Sequence, residues 1–146
     1  MAQHEATPAR KDLAAMIGPL GRSLVAAELP VLREHDLTMW GYAVLTALAE
    51  QPMRTQAALA ESIGADKTRL IRVLDRLQHQ GLIERHADPA DRRANLLSLT
   101  PEGARVRTAA QNDIQRQEEH LLSRLSAEER TVFLRALDIL SSASGD

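Results

Sequence analysis

Residues 55–99 read TQAALAESIGADKTRLIRVLDRLQHQGLIERHADPADRRANLLSL, and the fold is decided there. Thr55 is placed to cap a short helix in which Leu59 and Ile63 lie one turn apart, and Gly64 closes it. Asp66 then caps a second helix, KTRLIRVLDRLQHQ, ending at Gly81. Leu70, Leu74 and Leu77 repeat at i, i+4 and i+7, so this helix buries one side. The other side shows Lys67, Thr68, Arg69, Arg72 and Arg76. Two strand-like runs follow, LIERHA and ANLLSL, joined by a polar turn that carries Asp88, Pro89, Asp91, Arg92 and Arg93. Two helices about a glycine turn, the second studded with cations, and a hairpin directly after them describe a winged helix-turn-helix.

Outward from this centre the chain is helical. From Lys11 to about Leu32 the residues Leu13, Met16, Ile17, Leu20 and Leu24 fall at helical spacing. Pro19 and Pro30 interrupt that stretch and predict a bent or broken helix. A helix over Thr38–Glu50 has Thr38 as its cap and Val44, Leu45 and Leu48 as its buried face, and Gln51-Pro52 ends it. Thr100-Pro101 is a cap followed by proline at the first helical position, opening a long helix to about Leu125. Ser126 and Glu129 form a capping box for a last helix with Phe133, Ala136, Leu137 and Leu140 as its stripe. The fold class is therefore mainly α (α+β): a winged helix-turn-helix with long N- and C-terminal dimerisation helices. The reading treats residues 1–146 as a single domain, with 38–100 as the DNA-binding region and 10–35 and 101–142 as the dimerisation helices. A central winged helix is too small to cover all the apolar stripes at the two ends, so burial between two copies is expected, in the closed two-fold form.

Composition narrows the function. The chain has 146 residues, no cysteine and a formal charge of −2. Thiol redox sensing and thiolate metal sites are excluded. The start, MAQHEATPARKD, is polar and unlike a signal peptide, and uninterrupted apolar runs fall far short of the roughly 20 residues that span a bilayer. A cytoplasmic protein with no membrane partner is expected. Charge is unevenly distributed: Arg54–Arg93 holds eight Lys/Arg against six Asp/Glu, and the rest holds ten against fourteen. The centre is mildly basic between acidic flanks. Histidines at 4, 35, 79, 86 and 120 form no His-x-x-x-His or Glu-x-x-His pair. His35 and Asp36 meeting Glu118, Glu119 or His120 would be the one conceivable zinc set, and solvated side chains are the plainer reading. No phosphate loop or nucleophile elbow is present, so no enzyme, cofactor or metal is expected.

The order of parts gives the cations a use. A helix fits the major groove and reads base edges with its exposed side chains. The hairpin beside it reaches the neighbouring minor groove, whose negative potential favours arginine, which places Arg92 and Arg93 suitably. The plain alternative is that these are solvated surface charges with Asp91 pairing an arginine at little gain. A functional alternative from another class is a winged-helix protein-interaction module whose basic helix meets an acidic protein.

The segments HDLTMWGYAVLTAL, RVLDRLQHQGLIER and DPADRRANLLSLTPEG together resemble the MarR (multiple antibiotic resistance regulator) family. The last contains an Asp-x-Arg wing followed by a Leu-Thr-x-x-Gly helix start. The resemblance implies a homodimeric transcription factor with interlaced terminal helices that binds short DNA palindromes, often as a repressor. It also implies release from DNA when a small aromatic or anionic effector binds between the dimerisation and DNA-binding regions. It places Asp91 and Arg93, with Arg92 beside them, in the wing pattern, and Asp75 as a brace for the wing. For the effector it points to the surroundings of Trp40 and Tyr42, with Arg22 or His35 to receive an anion. Packing of both aromatics against the first helix is the simpler expectation. Family members that sense peroxide use a cysteine, which this chain lacks.

Overall fold

Each helix of the central region begins on a side chain that accepts from its own first turn. Thr38 Oγ1 accepts from Gly41 N at 3.0 Å, Thr55 Oγ1 from Ala58 N at 3.2 Å, and Asp66 Oδ1 from Arg69 N at 2.8 Å. These bonds satisfy donors that a helix start leaves without a partner. In the computed structural model the described residues are 6, 9–51, 54–91, 93 and 95–143. The order is α1 (Leu13–Glu34), α2 (Met39–Glu50), β1 (Arg54–Thr55), α3 (Gln56–Ile63), α4 (Lys67–His79), β2 (Ile83–Ala87), β3 (Asn95–Leu99), α5 (Pro101–Leu122) and α6 (Ala127–Ala143). The chain divides into two units, Met1–Ala110 and Gln111–Asp146.

In the first unit, β2 and β3 form the antiparallel hairpin, in a register that sets Ile83 opposite Leu99, Arg85 opposite Leu97 and Ala87 opposite Asn95. β1 pairs with the other edge of β3, giving the order β1-β3-β2. The sequence pattern did not reveal β1, because two residues are too few to show alternation. Val44, Leu45 and Leu48 of α2, Leu59 of α3, Leu70, Leu74 and Leu77 of α4, and Ile83 and Leu97 of the hairpin are all buried. This apolar set fixes α4 on α2, α3 and the sheet, and so fixes which side of α4 faces out.

Gly64 closes α3 with φ of 70°, a left-handed conformation that L side chains adopt at a cost. Gly103 is needed for a different reason. A Cβ there would sit 2.0 Å from the carbonyl oxygen of Leu82. Thr100 completes this joint: its N donates to Leu82 O at 3.1 Å, its hydroxyl donates to Gly81 O at 2.6 Å, and the same oxygen accepts from Gly103 N at 3.0 Å. The Leu-Thr-x-x-Gly pattern is thus the hinge pin between the end of α4 and the start of α5.

α1 departs from expectation. It is one uninterrupted helix of 22 residues that contains both Pro19 and Pro30. Each proline deletes one backbone hydrogen bond, and the turns on either side carry the helix past it. Its end is a Schellman motif: Leu37 N bonds to Leu32 O at 2.9 Å and Asp36 N to Arg33 O at 3.0 Å, with Leu32 and Leu37 buried. Asp36 occupies the left-handed position at φ 57°, where glycine is usual. Leu13, Met16, Ile17, Val25 and Leu29 remain exposed. α1 is long and apolar enough to cross a bilayer by length and composition alone, with a mean hydropathy of 1.3 over an 18-residue window. The run-length reading did not anticipate this, because Gly and polar residues break the runs without much lowering the mean.

In the second unit the last part of α5 and α6 are joined by the turn 123–126. The expected capping box is formed: Ser126 Oγ accepts from Glu129 N at 3.2 Å, and Glu129 Oε1 accepts from Ser126 N at 3.0 Å. That bond holds the Glu129 carboxyl below its ordinary pKa. Arg130 donates to both carboxylate oxygens of Glu119, lowering that carboxyl in the same way. On α6, Phe133 is half-buried, whereas Val132, Leu134, Leu137, Ile139 and Leu140 are exposed.

Candidate nucleic-acid interface

With Leu70, Leu74 and Leu77 turned inward, the polar residues of α4 divide into three rows. The row toward α2 is anchored. Arg69 lies over the Trp40 ring, 5.6 Å from its centroid. One helical stretch on, Arg76 donates to Asp36 Oδ1 at 3.3 Å. Gln80, the residue after α4, donates to the backbone oxygen of Asp36 at 2.9 Å and to its Oδ2 at 3.1 Å. The row toward the hairpin is anchored through Asp75, whose Oδ1 accepts from Arg85 on β2 at 2.8 Å. These are largely exposed pairs and add little stability singly. The buried leucines set the azimuth of α4, and these contacts line its two flanks.

The central row is Thr68 and Arg72, both exposed, with Lys67 exposed at the helix start. Among the described residues, neither Lys67 nor Arg72 has an ion-pair partner. Arg72 also edges a shallow depression of 190 Å³ with Leu37, Gly41 and Arg76.

The wing tip is ordered by acids acting on backbone. Asp88 Oδ1 accepts from Ala90 N at 2.8 Å, and Asp91 Oδ1 accepts from Arg93 N at 3.0 Å. Two such Asx turns in succession shape the tip without spending the arginine charge. The acid before the arginines therefore organises the turn through Arg93 N. Arg93 is exposed and borders a 470 Å³ open groove between α3, α4 and the wing, together with Asp91 and Lys67. Arg92 lies outside the described residues.

Of the residues considered for an effector, Arg22 and His35 lie far apart on α1. Arg22 is exposed on α1, and the half-buried His35 caps the same helix thirteen residues later, about 20 Å along the axis. Tyr42 is half-buried on α2. Trp40 is half-buried and presents one face to Arg69. Among the described residues no three His, Cys, Asp or Glu side chains are close enough to hold a metal ion. The sequence reading missed the Trp40–Arg69 and Asp36–Arg76 contacts, which join residues 29 and 40 positions apart and leave no local pattern. The one visible signal was Asp36, two residues past the helix end, where glycine or asparagine is usual.

Comparison with known proteins agrees with this architecture. The description of the MarR family matches residues 35–94. Transcriptional regulator HosA of Escherichia coli is 40% identical over 100 residues, spanning 68% of this chain and 74% of HosA. The crystal structure of the PcaV transcriptional regulator from Streptomyces coelicolor, in complex with its natural ligand, is 34% identical and covers 94% of this chain and 99% of PcaV, with a TM-score of 0.66. Apo MarR from E. coli is 25% identical over 90% of this chain and 98% of its own, with a TM-score of 0.79. The chain belongs to the MarR family of transcriptional regulators and carries its winged-helix fold.

Proposed function

We propose that this regulator binds duplex DNA as a homodimer, with α4 in the major groove and the wing at the adjoining minor groove. The observation that carries this reading is the anchoring of both flanks of α4 while Lys67, Thr68 and Arg72 are exposed, Lys67 sharing a groove with Arg93 of the wing. A helix held at fixed azimuth presents the same row to every base pair it meets, which is what sequence readout requires. Lys67, Thr68 and Arg72 read bases or nearby phosphates. Arg69 and Arg76 set the helix and add positive charge along the backbone. Asp75 braces the wing through Arg85, Asp91 shapes its tip, and Arg92 and Arg93 meet the minor groove and phosphates. The exposed apolar residues of α1 and α6 are covered by the second copy. A membrane is the weaker reading for α1, since Arg22 falls near the middle of the helix, where a charge costs about 2.5–3.5 kcal/mol or more in a bilayer.

The chain acts on this reading as a cytoplasmic repressor at a palindromic operator and responds to a small aromatic or anionic effector. Support for the effector comes from PcaV, a relative along nearly its whole length whose structure holds its natural ligand. Trp40 and Tyr42 remain the residues proposed for it, with either Arg22 or His35 to receive an anion.

The test is a titration of DNA at several salt concentrations with wild type, Arg72→Ala, and the double variant Arg92→Ala/Arg93→Ala. Loss of a base reader costs about 1–3 kcal/mol and relaxes specificity at one position. The wing variant weakens all sequences and flattens the salt slope, since fewer counterions are released. Thermal melting unchanged in both separates lost contact from lost fold. Normal affinity and normal slope in both variants would overturn the interface. Benzoate added to the bound complex is the first effector probe, read as release of the duplex.

A further inference from the structure

One side chain on α4 does not fit a surface designed only for solubility or for phosphate. Leu70, Leu74 and Leu77 are no more than 2% exposed, yet Ile71 is 48% exposed. A β-branched residue on an open helix face brings no propensity advantage and no burial in the chain itself. Ile71 stands one turn beyond Lys67 and one position before Arg72. It forms part of the wall of the 470 Å³ groove, with Ala57 of α3 on the facing wall and Arg93 and Asn95 on the wing side. The groove thus combines aliphatic surface from Ala57, Leu70 and Ile71 with two cations, Lys67 and Arg93, and one carboxylate, Asp91, which is engaged in shaping the wing tip through Arg93 N. That arrangement suits an occupant with negatively charged edges and an apolar projection between them.

Duplex DNA has one such projection in the major groove, the C5-methyl group of thymine. The purine edges present acceptors there, which an isoleucine would leave without a donor. We infer that Ile71 reads a thymine methyl in each half-site, with Lys67 and Arg93 on the phosphates to either side. This rests on the DNA-binding reading above and extends it by a specificity-determining residue that hydrogen-bonding patterns do not reveal.

The experiment uses the full-length protein and a duplex it selects from a random-sequence pool. Each thymine of that duplex is replaced in turn by deoxyuridine, which removes the methyl and leaves the hydrogen-bonding edge intact. One position per half-site weakens wild-type binding about fourfold, the effect of uncovering one methyl group. The Ile71→Ala variant binds the thymine and uracil duplexes equally, at the wild-type protein's affinity for the uracil duplex, and its melting temperature is unchanged. If no replacement weakens wild-type binding, or if the loss is as large in Ile71→Ala, the assignment is wrong while DNA binding stands. If the pool yields no bound duplex, the DNA-binding reading falls, and this inference with it.

Discussion

The apolar residues of the winged helix and those of the terminal helices behave in opposite ways. From α2 to β3, the leucines of the sequence pattern are closed over by their own chain: Leu45, Leu48, Leu59, Leu74 and Leu97 show no exposed surface. On α1 and α6 the same residue types, at the same helical spacing, lie open: Leu13 and Ile17 at 57%, Val132 at 66% and Ile139 at 56%. Amphipathic periodicity alone does not distinguish a helix that finishes a core from one that awaits a partner. The difference lies in what surrounds it. α4 has a helix on one side, a sheet on the other and caps at its ends, so one chain supplies everything that orients it. The ends are long helices with few neighbours in sequence to fold back on them. On the proposed reading, the first arrangement suits a surface that meets DNA in one orientation, and the second suits a surface that joins two copies.

That contrast is open to test at several strengths. The largest effect is expected at the ends. Val132→Glu with Ile139→Glu changes four aliphatic side chains in a two-fold pair. At about 1.5–3 kcal/mol for each buried one, roughly 6 kcal/mol or more of association is lost. Light scattering at micromolar concentration should show a dimer for wild type and a monomer for the variant. If both residues are merely solvated, the mass stays the same and stability moves by no more than about 0.5 kcal/mol.

Next comes the joint between α4 and α5. Gly103→Ala forces a methyl group against the Leu82 carbonyl and should cost about 3 kcal/mol, visible as an earlier midpoint in urea. A normal midpoint would mean the helix start shifts freely and that α4 is less rigidly held than described. A smaller effect belongs to Asp36. Alanine at this left-handed position keeps the strain and drops the contacts to Arg76 and Gln80, so Asp36→Ala should lose about 1 kcal/mol. Asp36→Gly relieves the strain and should melt close to wild type, although it too releases Arg76. Comparing the DNA affinities of the two variants separates backbone conformation from the anchoring of α4.

The smallest effect is a pH dependence in the second unit. Burial, with the neighbouring Glu119 charge, pushes the Glu118 carboxyl above its ordinary pKa. A carboxyl raised on folding opposes stability when ionised, and the penalty disappears as pH falls through its folded value. Glu118→Gln should therefore stabilise slightly at pH 7, by no more than about 0.5 kcal/mol. The gain should shrink toward pH 4, as thermal melts across that range would show. Glu129 runs the opposite way: its capping bond is complete at neutral pH and is lost as the carboxyl protonates in acid.

Much of this was legible in the sequence because the signals are local. Thr38, Thr55, Asp66, Thr100 and Ser126 are each within three residues of the groups they cap, and the leucines of α4 give its buried side directly. The cationic row followed from that side by elimination. What escaped was set by distance. β1 exists only because β3 lies beside it. Arg69 rests on Trp40, and Arg76 on Asp36, through tertiary packing that no short window contains. The two prolines of α1 misled because a local rule was applied to a helix long enough to continue past them. Ile71 belongs to neither the leucine pattern nor the cationic row of α4, and only its exposure marks it.

The central claim is that two copies of a rigidly held α4 and wing meet DNA together. The most direct measurement is a hydroxyl-radical footprint of the full-length protein on the duplex it selects from a random pool. The account predicts two protected half-sites related by a two-fold axis, with centres one helical turn apart, about 34 Å. Their sequences should form an inverted repeat. A single protected stretch without symmetry, or no protection at any salt concentration, would contradict it.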